Sequence, residues 1–390
     1  MPIDPTMLKY VDNHRSEMLS LLECLARIES PSAESFLVGK AVDALDAAYR
    51  RAGLFTRQIA AEGFASHLVA ETPMDVDGPR VLLVGHCDTV YPSGTLRAMP
   101  VRRDGDRLFG PGVMDMKGGL VVVLYAIHAL LARCGQLSGS VRVVVNTDEE
   151  PGSPTSRNLW PELAKDVDWA LVFEPALEDG SLIERRKGVG IFQVKVHGRS
   201  AHAGAEPEKG ANAIVALARK VGSLAELTDM TVGTTLNTGV ISGGSLPYVV
   251  PDNAEASVDI RVPCEAERVR ILGLIRTVAE RVEIPGTSCS IEGSFHRPPM
   301  DPTASTAKLK AIIEEEAQSV NLAVQWASCG SVSDANNIAA LGVPTIDGMG
   351  PAGGRAHSPE EWMDIPSFFQ KTALLAGVLD RIVGREMMSR

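Results

Sequence analysis

In VLLVGHCDTV (81–90) four apolar residues run through Gly85 into His86 and Asp88, an imidazole and a carboxylate two positions apart. More groups of the same kinds follow: Asp115 in GPGVMDMKGG, Glu149 and Glu150 closing VRVVVNTDEE, Glu174 closing DWALVFEP, and His357 in GPAGGRAHSPEEW. Nitrogen and oxygen donors without thiolate suit zinc, with cobalt or manganese as alternatives. The physical case for metal is charge. Ionised carboxylates gathered in a dry crevice repel one another, and each is costly to desolvate. Suppose Asp115 bridges two divalent ions, His86 and Glu174 serve one, and His357 and Glu150 the other. The charges of the two ions then balance three carboxylates and one hydroxide. Two such ions stand about 3.5–4 Å apart and can clamp both oxygens of a hydrated carbonyl.

Asp88 fits an orienting role, because a metal-bound histidine usually donates its other ring N–H to a carboxylate. Neighbouring side chains on an extended chain diverge, so one of Glu149 and Glu150 can bind metal while the other faces the water as general base. Spacing alone leaves open which does which. By the same alternation Cys87 points away from its neighbours and is assigned to packing.

These residues fall where an α/β sheet would bring them together. Amphipathic helices are predicted at 7–29 and 34–52, strands near 54–60, 66–71 and 80–86, a helix over 116–135, and strands in 139–153 and 168–175. Apolar strands separated by helices indicate a sheet covered on both faces, and such sheets bind ligands beyond the carboxyl ends of their strands. The pattern changes near residue 187. Strand-like GVGIFQVKVHG, a helix at 210–227, strands TTLNTGVISGG and AEASVDIRV, a helix at 264–282 and SCSIEGSF give the order β-α-β-β-α-β. A helix at 303–319, a strand near 323–328, GVPTID and a helix at 366–385 resume the first pattern. The chain therefore reads as one α/β domain, 1–186 and 299–390, interrupted by a smaller domain, 187–298.

The whole chain fits this picture. It has 390 residues, 45% hydrophobic and 22% charged, ordinary for a globular protein with a sizeable core. A net charge of −11 argues against nucleic-acid or anionic-membrane binding. The sequence has no uninterrupted apolar run of membrane-spanning length and no secretory-type N-terminus, so a cytoplasmic location is expected. The six cysteines are scattered without a CxxC pair and read as reduced thiols. A nucleotide enzyme would rest only on Gly110, Gly112, Gly118 and Gly119, and the phosphate-loop lysine pattern is missing.

Six stretches in order, GHCDTVYPSGT, GPGVMDMKGG, NTDEEPGS, FEP, GRSAHAGAEPEKGANAI and GRAHSPEEWMDI, resemble the M20 family of dinuclear zinc peptidases and deacylases. The nearest likeness is to glutamate carboxypeptidases of the carboxypeptidase G type. The resemblance implies a catalytic α/β domain with a mixed sheet and flanking helices, and an inserted ferredoxin-like dimerisation domain. It implies two zinc ions per subunit on His86, Asp115 (bridging), Glu150, Glu174 and His357, with Glu149 as general base and Asp88 orienting. It also implies a cis peptide between Asp115 and Met116. His202 in GRSAHAG would reach into the partner subunit's site and stabilise the tetrahedral oxyanion, making a homodimer necessary. Arg261 and Arg297 match arginines near the substrate carboxylate, and an arginine fork suits that group. Tyr248 stands where relatives often have a substrate-contacting asparagine.

The expected activity is hydrolysis of an amide bond next to a free carboxylate, releasing C-terminal glutamate or a similar amino acid from an N-acyl or short peptide substrate. The alternatives are an N-acyl amino-acid deacylase or dipeptidase of the same family. A non-catalytic binding protein on this fold would need a missing ligand or base, and none is missing.

Overall fold

The computed structural model describes residues 3–73 and 77–384. The chain divides into two compact units. The first takes the chain up to Glu184, Pro302–Ser328 and everything from Ser333; the second takes Arg185–Asp301 and Cys329–Val332.

The first unit is built on a six-stranded mixed sheet. Its strand order is Phe55–Ile59, His67–Glu71, Ser140–Asn146, Arg80–His86, Trp169–Val172, Thr345–Ile346. The first three alternate in direction, and the last four are mutually parallel. The predicted strand at 139–153 is paired only to Asn146, because the polar residues that follow leave the sheet for a loop.

Helices pack on this sheet. Pro5–Ala26 starts at Asp4, whose carboxylate accepts from the Thr6 amide at 2.8 Å, and its proline occupies a first-turn position where no amide is missed. It ends three residues before the predicted stop. Lys117–Cys134 closes at Gly135, whose φ of +66° suits glycine. Ile365–Val383 is capped by Asp364 on the Ser367 amide; the predicted last residue of this helix, position 385, lies outside the described residues. Leu22 and Leu25, Leu120 and Leu124, and Leu375 and Leu379 from these three helices meet in one core. Lys117–Cys134 is long and apolar enough to cross a membrane by composition, but it lies mostly buried in that core.

A small antiparallel sheet, Gly353–Gly354, Trp362–Asp364, Arg107–Phe109 and Arg102–Asp104, was not anticipated from the sequence. Its strands are two or three residues long, too short for a hydrophobic period to register.

The second unit has the order β-α-β-β-α-β: Gly188–His197, Ala213–Ala225, Thr235–Gly243, Asn253–Val262, Glu265–Glu280 and Ser288–Arg297. Its antiparallel sheet runs Thr235–Gly243, Asn253–Val262, Gly188–His197, Ser288–Arg297. Ala254, Ala256, Val258, Ile260 and Val262 are buried in strict alternation. They pack with Val194 and Val196 against Leu217, Ile271 and Ile275 of the two helices. The edge strand Thr235–Gly243 carries exposed Val240 and Ile241 beyond a bulge between Thr238 and Val240.

Candidate metal centre

Strand register assembles the centre. His86 pairs with Asn146 on one neighbour, and Val84 pairs with Val172 on the other. Three parallel strands therefore end side by side, and the next residues of each carry Asp88, Glu149 with Glu150, and Glu174. Helix Lys117–Cys134 presses against these ends, with Asp115 just before it. A Cβ on Gly119 would lie 2.3 Å from the Phe173 carbonyl oxygen, so that close approach requires glycine. The Asp115–Met116 peptide is cis. His357 sits in the loop between Gly354 and Trp362, which pair across the small sheet.

His86 Nδ1 lies 3.0 Å from the Asp88 carbonyl oxygen and 3.3 Å from Asp88 Oδ1. These acceptors hold a ring proton on Nδ1 and aim Nε2 at the neighbouring carboxylates. Nε2 faces Asp115 Oδ1 at 3.3 Å and Glu174 Oε1 at 3.7 Å. The other oxygen of Asp115, Oδ2, lies 3.3 Å from His357 Nε2, which is 3.2 Å from Glu150 Oε2. One aspartate thus faces two histidines, one through each oxygen, and each histidine has a glutamate beside it. Donor atoms of His86, Glu149 and Glu174, and of His86, Asp115 and Glu150, lie within 4.8 Å of one another.

The electrostatics match a cation site. Burial opposes charge on His86, yet hydrogen bonds to Asp115 and Asp88 and the charge of Glu174 lift its pKa well above the usual histidine value. Hydrogen bonds to Asp115 and Glu150 push His357 up to about 10. Burial would raise Asp115, but the hydrogen bonds from His357 and His86 hold it well below the carboxylate range. Burial, with Asp115 and Glu149 nearby, drives Glu174 well above its ordinary value although His86 works against it. The group calls for positive charge, and the all-nitrogen-and-oxygen donor set fits a borderline divalent ion. Cys87 is wholly buried in the hydrophobic core, in the packing role expected of it.

A shell of hydrogen bonds fixes these loops, and sequence reasoning missed most of it. Asp88, fully buried, accepts from Ser32 Oγ at 2.7 Å and from the Glu149 and Glu150 amides at 3.3 Å each. Asp148 accepts from the amides and hydroxyls of Thr155 and Ser156 at 2.6–3.1 Å, which closes the loop that follows Glu150. Asp334 accepts from Ser153 Oγ at 2.6 Å and from Asn146 Nδ2. The TDEE stretch was the one available signal for Asp148, but an acid beside two others does not disclose that it serves the backbone.

The remaining predicted site residues lie in the second unit. His202 is exposed, and its Nδ1 accepts from the Gly204 and Ala205 amides at 3.1 Å each. Its neutral ring therefore carries the proton on Nε2. Tyr248 is exposed, and its carbonyl accepts from the Ala203 amide at 3.0 Å. Arg261 stands on the face opposite the buried alternation, pairs with Asp259 at 3.1 Å and donates to the Gly330 carbonyl at 3.0 Å. Arg297 is buried at the end of its strand.

A mixed α/β sheet whose parallel strand ends converge on histidines and carboxylates defines a candidate centre for divalent cations. Residues 82–381 match the model of peptidase family M20/M25/M40, and the chain belongs to that family. It is 28% identical over 381 residues to carboxypeptidase G2 of Pseudomonas sp. (strain RS-16), covering 96% of this chain and 92% of that one. It is also 28% identical to the acetylornithine deacetylase of Myxococcus xanthus, covering 77% of this chain and 80% of the relative. Among solved structures, aminopeptidase PepT of Bacillus cereus is similar in fold, with a TM-score of 0.78 at 17% identity, over 94% of this chain and 98% of that one.

Proposed function

We propose that this hydrolase cleaves an amide bond next to a free carboxylate, releasing glutamate or a similar amino acid from an N-acyl or peptidyl substrate. The observation that carries the metal chemistry is Asp115, with Oδ1 3.3 Å from His86 and Oδ2 3.3 Å from His357. His86, Asp115 and Glu174 would hold one zinc ion, and Asp115, Glu150 and His357 the other; cobalt or manganese suits the same donors. Two such ions lower the pKa of a shared water and polarise the scissile carbonyl.

Glu149 takes the proton of the attacking water and returns it to the leaving amine. Its place within 4.8 Å of His86 and Glu174 donor atoms supports that role. Asp88 keeps His86 in the required tautomer. His202 of a second subunit donates from Nε2 to the oxyanion, a reading supported by the two amides that occupy its Nδ1. The inserted unit would be the ferredoxin-like dimerisation domain. Its edge strand, with exposed Val240 and Ile241, supports this. Arg261 and Arg297 are the proposed partners of the substrate carboxylate.

The full-length similarity to carboxypeptidase G2 supports glutamate release. Tyr248 favours a second reading, because a phenol replaces the amide found in relatives. On that reading the enzyme is an N-acyl amino-acid deacylase or dipeptidase. Zinc-loaded protein assayed on N-acyl-glutamate, N-acyl-aspartate, N-acetyl-ornithine and dipeptides separates the two. The Glu149→Ala variant should keep its metal and lose about 10²–10⁴-fold in kcat. Absence of bound metal from the wild type, with no hydrolysis of any of these substrates on adding zinc, would reject the function.

A further inference from the structure

Glu361 has no exposed surface, and its carboxylate accepts from four donors. Oε1 accepts from the Met114 and Asp115 amides at 2.9 and 3.1 Å. Oε2 accepts from the Gly112 amide at 3.1 Å and from Tyr91 Oη at 2.7 Å. Three of these donors belong to the turn that ends in Asp115. Glu361 itself ends the loop that carries His357, four residues earlier. The two loops are tied again by the Gly110 amide, 3.4 Å from the Glu361 carbonyl, while the Tyr91 hydroxyl, shared between Oε2 and the Ser358 carbonyl 2.9 Å away, braces the His357 loop.

We infer that Glu361 is a positioning residue: one buried carboxylate fixes the backbone of the bridging aspartate and the base of the His357 loop to each other. Four convergent donors need an acceptor with several lone pairs and no proton of its own. A glutamine has the same size but offers only one oxygen. Its amide N–H₂ would face two of the donors, and that half of the turn would lose its anchor. The residue touches neither metal nor substrate and acts through Asp115 and His357. The inference rests on the dinuclear reading above. On that reading Asp115 would serve both ions, so loosening its turn would weaken both sites together.

Calorimetric titration of metal-stripped protein with zinc tests this. Wild type should take up two equivalents; failure to do so counts against the dinuclear reading itself. If it does, Glu361→Gln should bind both equivalents about 10–100-fold more weakly, the range typical of lost outer partners. Glu174→Gln, by contrast, should weaken one equivalent more than the other. A folded Glu361→Gln variant with wild-type affinity for both ions overturns the inference. Should that variant fail to fold, Tyr91→Phe decides: it deletes one of the four donors that hold the Glu361 carboxylate. A several-fold loss of zinc affinity in folded Tyr91→Phe supports the anchor, and unchanged affinity overturns it.

Discussion

Asp88 is a carboxylate with four duties. It receives Ser32 and two amides, and it stands 3.3 Å from the His86 ring. The amides belong to Glu149 and Glu150, so one side chain faces the His86 ring and also sets the path of the loop that carries Glu149, the proposed base. An asparagine would keep the shape but present an N–H₂ where an acceptor is needed. Asp88→Asn should therefore stay folded and bind zinc about 10–100-fold more weakly. Metal affinity equal to wild type, measured by competition with a chromogenic chelator, would remove the orienting role. The residue types gathered here were legible in the sequence because several histidines and carboxylates fall together at predicted strand ends, where any one of them alone would read as a polar strand end. The anchoring roles of Asp148, Asp334 and Glu361 were not legible. A hydrogen bond to a backbone amide leaves no pattern in side-chain types, and Glu361 sits beside an exposed glutamate of the same kind, Glu360.

The strands and helices carry the site by register rather than by local sequence. A one-residue slip between Arg80–His86 and Ser140–Asn146 would turn His86 to the opposite face relative to Glu149 and Glu150. The apolar runs of these two strands were readable though their register was not, and the three long helices of the core were located to within three residues at the described ends. The small sheet that holds the His357 loop was not, since three-residue strands carry too few side chains to show a period.

The last helix holds a separate liability. Lys371 is almost wholly buried, and burial alone pushes its pKa down to about 7. Its ammonium donates to the Gly348 and Gly180 carbonyls across long distances of 3.4 and 3.5 Å. An unfolded lysine keeps its proton to about pH 10.4. Between these values the unfolded chain binds more protons, so this residue's contribution to stability rises with pH and is least favourable below pH 7. Lys371→Met should raise the melting temperature at pH 6–7, and the gain should shrink as the pH approaches 10. A difference that does not vary with pH, in a scanning calorimetry series, would count against this.

At the scale of the molecule, the proposed dimer makes catalysis a joint property of two chains. Glu149→Ala and His202→Ala should each be nearly inactive alone. Refolded together in equal amounts they should regain activity. If chains pair at random, half the dimers are mixed and each of those has one intact site, giving about a quarter of the wild-type sites. No recovery in mixed samples that are shown to exchange subunits would mean that His202 works within its own chain or not at all.

The interrupted chain also orders its own manufacture. Helix Ile365–Val383 lies in the heart of the first unit, and the segments that close that core come from both ends of the polypeptide. The second unit draws on nothing beyond Val332. A ribosome therefore releases every residue of the insert before it releases the helix its host requires, and the part made in the middle has the first opportunity to finish.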